Sequence, residues 1–247
     1  MKKIIFTLFM LLIFTGCGKT PEKSEIISFD TSSFVITKDG LAKDFSNNDK
    51  IVKIEWYTDP LCPDCTRAHT QTHDFINKQI EDGKLEVKYH TLNFLPKYSK
   101  TGYSLRASSW IMGVANFSPD NIHEFMNLIM DENQSTEPDK RDDEYIKGLA
   151  IKSGISDENI KKIENSMDLL KVSVNRASEN IRNNEELLKR SNNGKMFVPF
   201  IFLSDKEECA LDGENEDTKC NIQEPIEKVI KELDIKPCDE NKPCKDW

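Results

Sequence analysis

Two cysteines separated by a proline and an aspartate, Cys62-Pro63-Asp64-Cys65, stand where one sequence texture gives way to another. Before them, Ile51-Val52-Lys53-Ile54-Glu55-Trp56-Tyr57 is rich in β-branched and aromatic residues and reads as a strand. After them, from Pro63 to about Ile80, Phe75, Ile76 and Ile80 fall on one side of a helix that Asp82-Gly83 ends. Leu85 to His90 then alternates as a further strand. Strand, helix, strand in that order predicts parallel strands joined by a right-handed crossover, and so an α/β fold. The junction also places Cys62 at a helix N-terminus, where unpaired backbone N–H groups and the helix dipole stabilise a thiolate. Cys65, one turn on, can attack a mixed disulfide formed at Cys62. Pro63 suits the first turn because it lacks only an N–H that would be orphaned anyway. A structural disulfide or half of a zinc site uses the same spacing; the strand-to-helix junction favours the redox pair.

The chain has 247 residues, enough for one large domain or two small ones with a proper core. Its formal net charge of −9 argues against a nucleic-acid surface, which needs a basic face. Seven cysteines cannot all pair within one chain. The N-terminus accounts for the odd one. Lys2 and Lys3 precede an apolar run from Ile4 to Phe14, too short for a membrane-spanning helix, which needs about 20 residues. The pattern is an export signal. Thr15-Gly16-Cys17 resembles the bacterial lipobox, with Phe14 where leucine is usual, and implies that Cys17 becomes the lipid-modified first residue. An ordinary signal peptide with Cys17 as a spare thiol is the alternative. Residues 1–16 are then the signal and 17–25 a polar tether; the other six cysteines mature in an oxidising setting.

Residues 26–100 begin with Ile26, Ile27 and Phe29, then Phe34 to Thr37, read as short strands around a turn. Residues 101–193 carry no convincing strand. Leu105 to Ala115, Ile122 to Met130 and Tyr145 to Ile151 read as successive helices, with Ser118-Pro119 opening the second. Ser156 caps another, which Leu170, Val174, Ala177 and Ile181 continue toward Gly194. In residues 194–236 the texture switches to the apolar strand Met196 to Leu203, and a final helix covers Pro225 to Leu233. Pro199 cannot donate to a strand ladder, so a special geometry is expected there: a cis Val198-Pro199 bond that offers the Val198 backbone to a substrate chain. An edge-strand trans proline is the alternative. Residues 237–247 form a cysteine-containing tail.

Trp56 to Cys65 (WYTDPLCPDC), together with Val198-Pro199 before Phe200 to Leu203, resembles the thioredoxin superfamily. The long separation of Cys65 from Pro199, and the likeness of Ser104 to Phe125 to the opening of a helical block, resemble the DsbA-like thiol oxidases. That resemblance implies a thioredoxin fold interrupted by an all-helical insertion. It also implies Cys62 as nucleophile, Cys65 as buried resolving thiol and Val198-Pro199 as the substrate-docking loop. Two departures stand out. The dipeptide Pro63-Asp64 replaces Pro-His, and an ionised Asp64 would repel a Cys62 thiolate and make the disulfide less oxidising. The family's buried proton-transfer acid lies six residues before the first cysteine; here Trp56 holds that position and Glu55 lies one further back, so Glu55 is either that acid with its register shifted or a plain strand carboxylate.

His69 and His73 follow on the same helix, and with Cys62 and Cys65 could be written as a metal set. The helix carries them away from Cys62 at about 1.5 Å per residue, so packed or solvated histidines and no metal are expected. Locality pairs Cys209 with Cys220 and Cys238 with Cys244 as structural disulfides; crossed pairs and a four-cysteine zinc site remain open. The expected function is a lipid-anchored, extracytoplasmic thiol–disulfide oxidoreductase, an oxidase forming disulfides in exported proteins, whose only redox group is the Cys62–Cys65 disulfide, without a cofactor. Its partners would be exported cysteine-containing proteins and a membrane or extracellular reoxidant, with no nucleic acid. A reductase or isomerase uses the same parts, and a copper-binding lipoprotein of the same fold would catalyse no exchange.

Overall fold

The parallel pair expected around the two cysteines forms the centre of a six-stranded sheet in the computed structural model. The structure describes residues 30–132, 137–190, 194–203, 206–210 and 222–233. Strand β3 (Val52–Thr58) leads into helix α1 (Pro63–Glu81), which returns to β4 (Leu85–Thr91). β3 and β4 pair in parallel from Val52↔Leu85 to Thr58↔Thr91. Both strands alternate apolar and polar residues, yet nearly every position is buried or half-buried, because they lie in the middle of the sheet.

β1 (Ser33–Thr37) runs antiparallel to β4 and turns back into β2 (Gly40–Ala42). The turn is Thr37-Lys38-Asp39-Gly40, with Gly40 at φ +112°, a region where a side chain would be strained. The hairpin partner of β1 among the described residues therefore follows it in sequence. Ile26, Ile27 and Phe29, read as its partner, lie outside the described residues. On the other side of β3, β5 (Phe200–Leu203) pairs antiparallel, and β6 (Lys206–Ala210) completes the order β2-β1-β4-β3-β5-β6. The strand read from Met196 starts only at Phe200, since Val198 and Pro199 form a loop ahead of it.

The segment between β4 and β5 is helical: α2 (Tyr103–Phe117), α3 (Ile122–Glu132), α4 (Asp143–Lys152), α5 (Asp157–Arg182) and α6 (Glu185–Arg190). Ser156 caps α5 by accepting from Asn159 N. The helix expected to run on toward Gly194 instead breaks after Arg182, and Asn184 Oδ1 accepts from Glu186 N and Leu187 N to start α6. α2 is buried along most of its length and packs on α5 through Gly113, Ile163 and Leu170. One apolar core joins the sheet to this block, running from Trp56 and Ile54 through Ile111 to Phe125 and Leu170. A last helix, α7 (Gln223–Glu232), buries Ile226 against that core.

Candidate active site

Cys62 is the N-cap of α1, with extended backbone (φ −79°, ψ 119°), and its carbonyl accepts the first helical bond from Thr66 N at 3.1 Å. Pro63 opens the helix and Asp64 lies in its first turn. The approach is a tight turn: Cys62 N donates to Asp59 O at 3.0 Å, and Leu61 N donates to Asp59 Oδ1 at 2.8 Å. Asp59 at the head of the turn and Pro60 second are the residues such a turn favours. The turn delivers Cys62 from the end of β3 to the helix N-terminus.

Both cysteines are free thiols in this structure, and both are buried, Cys65 completely. Cys62 Sγ donates to the Val198 carbonyl at 3.3 Å, and the Val198–Pro199 bond is cis. The strand-heading loop therefore closes over the helix N-terminus, although the two lie far apart in the sequence. Asp59 N donates to Cys65 Sγ at 3.5 Å from the other side.

The two sulfurs differ in acidity because they sit differently. The hydrogen bond from the Cys65 thiol lowers the Cys62 pKa most; burial opposes it, and the backbone N–H groups of Cys65 and Asp64 lower it further. The net direction is down from the ordinary thiol value. Cys65 is pushed well above it, first by burial and then by Cys62 beside it. That asymmetry suits Cys62 as the attacking or leaving thiolate and Cys65 as the protonated reserve.

The charge that opposes the Cys62 thiolate belongs to Asp59, not Asp64. The Asp64 carboxylate is paired with Arg67 one turn along α1, and its backbone N–H favours the thiolate. The repulsion expected from Asp64 is thus supplied three residues before Cys62. Asp59 is completely buried. Its Oδ2 accepts from Phe94 N at 2.8 Å, Leu95 N at 2.9 Å and Ser104 Oγ at 2.6 Å, while Oδ1 accepts from Leu61 N. The 92–95 loop that brings these donors is itself held by α2 and α5: Ser108 Oγ donates to Leu92 O, and Asn93 N donates to Ser178 Oγ. Burial pushes the Asp59 carboxyl up from its ordinary value, and the Ser104 hydroxyl and three backbone donors oppose that. Neither Asp59 nor Ser104 was singled out from sequence. The Asp59-Pro60 dipeptide carries a turn signal, but nothing local signals that its carboxylate meets a loop and a helix far along the chain.

Glu55 belongs to a different cluster. Its Oε2 accepts from Tyr57 OH at 2.6 Å, its Oε1 from Arg190 at 3.3 Å, and His90 Nε2 lies 3.8 Å away. Burial raises the Glu55 pKa, but Tyr57, His90 and Arg190 outweigh it and hold the carboxyl below its usual value. Its described contacts are with this cluster and not with either sulfur. The carboxylate whose charge raises the Cys62 pKa is that of Asp59, whose backbone N–H also contacts Cys65 Sγ.

His69 packs α1 on α3, its Nε2 donating to Asn127 Oδ1 at 2.9 Å, and burial pushes its pKa down to about 4. His73 stacks on His69 and pairs with Asp74. Among the described residues no three His, Cys, Asp or Glu side chains are grouped to hold a metal ion. Cys17, Cys220, Cys238 and Cys244 lie outside the described residues; Cys209 falls in β6 opposite Ile201.

A family model described as Thioredoxin matches residues 47–227. The chain belongs to the thioredoxin family. Its fold is that of the DsbA-like members, in which a helical block interrupts the sheet. MdbA from Corynebacterium matruchotii, a thiol-disulfide oxidoreductase, is 26% identical with a TM-score of 0.58, covering 73% of this chain and 84% of that one. DsbA from Mycobacterium tuberculosis in its oxidised form is 17% identical with a TM-score of 0.62, over 83% of this chain and 94% of that one. BdbD from Bacillus subtilis, also oxidised, is 21% identical with a TM-score of 0.57, over 81% and 94%. No curated protein matches the chain.

Proposed function

We propose that this thiol–disulfide oxidoreductase acts outside the cytoplasm as an oxidase that forms disulfides in exported proteins. The observation that carries the reading is the placement of Cys62. Its sulfur stands at a helix N-terminus, 3.3 Å from the Val198 carbonyl, with the high-pKa Cys65 behind it. The Val198 backbone is the surface on which a substrate chain would pair, and the half-exposed Phe197 ring beside it would cover an apolar neighbour of the substrate cysteine.

In the reaction, a substrate thiolate attacks Cys62 of the Cys62–Cys65 disulfide, and Cys65 leaves and takes up a proton. A second substrate thiolate then attacks the substrate sulfur of the mixed disulfide, and Cys62 leaves as the thiolate. Two electrons pass from substrate to enzyme, and a membrane or extracellular reoxidant must take them on. The disulfide is itself the redox group, so the reaction needs no cofactor. Lipidation at Cys17 would hold the enzyme at the outer face of the membrane; no helix among the described residues is long and apolar enough to cross one. Cys209–Cys220 and Cys238–Cys244 would be structural disulfides.

A second reading, reductase or isomerase, is favoured by the Asp59 charge, which works against a strong oxidant. Refolding of a reduced model protein by wild type and Cys62→Ser tests catalysis: no gain over the variant refutes the enzyme. The equilibrium with glutathione then gives direction, since about −120 mV marks an oxidase and about −270 mV a reductase.

A further inference from the structure

Asp59 lies in the turn that delivers Cys62, its carbonyl accepting from Cys62 N at 3.0 Å and its N–H donating to Cys65 Sγ at 3.5 Å, and its carboxylate has surroundings unusual for a loop residue. It is completely buried, and all four of its side-chain partners donate: three backbone N–H groups, from Leu61, Phe94 and Leu95, and the Ser104 hydroxyl. An amide in the same cage would turn a donor toward a backbone N–H, and a neutral acid avoids that only by donating to the Ser104 oxygen. Four donors favour the ionised acceptor and work against the burial that pushes this carboxyl up. It also removes freedom: the carboxylate is tied to the active-site turn, to the loop after β4 and to the first turn of α2, so it cannot move away when the sulfurs change state. Its own backbone N–H contacts Cys65 Sγ, so charge and sulfur pair share one turn.

We propose that Asp59 sets how oxidising the Cys62–Cys65 pair is: its fixed negative charge disfavours the Cys62 thiolate and so favours the disulfide over the dithiol. The inference rests on the redox reading above. Reduction by two glutathione thiols breaks the Cys62–Cys65 bond, forms one glutathione disulfide, places one proton on Cys65, releases the other to water and leaves negative charge on Cys62. A like charge beside Cys62 destabilises only that product. Asp59 is thus a positioning residue that makes the enzyme a weaker oxidant than its helix N-terminus alone would make it. The same coupling runs in reverse, since a Cys62 thiolate makes Asp59 harder to ionise.

The test is Asp59→Asn in the full protein, read by thiolate absorbance against pH and by equilibrium with glutathione. The expected result is a thiolate that forms at lower pH and an equilibrium constant moved about tenfold toward the dithiol, which is about 30 mV. A folded variant with unchanged equilibrium, or one moved toward the disulfide, overturns the inference. Because the amide of an asparagine in this cage leaves donors facing donors, the variant can fail to fold. Wild type then decides through the assigned Asp59 carboxyl carbon resonance, followed against pH in both redox states. Ionisation at neutral pH, with titration at higher pH in the dithiol state, is expected; a neutral Asp59, or equal titration in both states, overturns the inference. A wild type that never equilibrates with glutathione refutes the redox reading itself, whereas an equilibrating wild type with an unaffected variant refutes only the role of Asp59.

Discussion

Substituting Gly113 by alanine tests whether the helical block is seated as described. Gly113 lies in α2, and a Cβ built there would come within 2.7 Å of Ile163 Cγ2 and 3.2 Å of both Ile163 Cγ1 and Leu170 Cδ1. Carbon atoms prefer separations of roughly 3.5–4.0 Å, so α5 must shift or its side chains must leave their rotamers. Ile163 and Leu170 are both buried and have no solvent to swing into. Overpacking of this kind costs about 1–3 kcal/mol. Alanine in a helix interior returns about 1 kcal/mol relative to glycine. With both Ile163 and Leu170 in the way the steric effect wins, and Gly113→Ala is expected to destabilise by up to about 2 kcal/mol, read from the midpoint of urea unfolding at constant slope. Ile163→Ala alone is expected to cost about 2–5 kcal/mol through its cavity. Combined, the two should cost less than their sum by about 1–2 kcal/mol, because the new methyl fills part of the space left by Ile163. Strict additivity, or a Gly113→Ala protein at least as stable as wild type, would refute the close approach of α2 to α5.

The remaining predictions concern charge and location. His90 is buried, and its pKa is pushed down to about 4 by burial, with Glu55 opposing. Below pH 6.5 the unfolded chain takes up a proton that folded His90 refuses, so stability falls from pH 6.5 to about 4, by up to about 3 kcal/mol for this group. A His90→Gln variant should lose that part of the slope in urea melts, and an identical pH dependence in both proteins would contradict the buried neutral ring. Glu55 behaves in the same direction for a different reason: its lowered pKa stabilises the fold above the unfolded carboxyl value and loses that contribution as pH falls through the folded one. Glu55→Gln should therefore cost about 1–2 kcal/mol at pH 7 and nothing at about pH 2, so a penalty independent of pH would count against the Tyr57–His90–Arg190 cluster. Asp64→Asn should leave the pH titration of Cys62 absorbance within error of wild type, because Arg67 already offsets that carboxylate; a clear downward shift would restore Asp64 as the tuning charge. Cys17→Ala should move the protein from membranes to the soluble fraction of the exported material and abolish fatty-acid labelling; retention of either would refute lipidation.

Much of the local structure was legible because it is written in local chemistry. β3, α1 and β4 follow from alternation, helical spacing and a stop at Asp82-Gly83, and each lies within a residue or two of its expected bounds. Errors fell where a neighbour in space overrode the pattern. Phe197 to Pro199 look like strand but form the loop that meets Cys62, so β5 keeps only four residues. The long helical pattern after Ser156 concealed a break because Asn184 can cap a new helix at Glu185, a competition that periodicity does not register. The β1–β2 turn at Asp39-Gly40 carries a readable signal, but the apolar residues ahead of β1 offered a competing strand partner.

The sequence by itself determined the chemistry: two cysteines at a strand-to-helix junction, the asymmetry a helix N-terminus imposes on them, and a proline loop far along the chain. Backbone dipoles and short spacings suffice for that, since they act within one turn. Only the tertiary structure decided which carboxylate's charge acts on Cys62. Glu55, Asp59 and Asp64 are all within a few residues of Cys62 in sequence. One turns to Tyr57, His90 and Arg190 and one to Arg67, while Asp59 is closed into a cage built from the 92–95 loop and α2. Electrostatic effect depends on distance, burial and the donors that fix a charge in place, and those are properties of the packed chain.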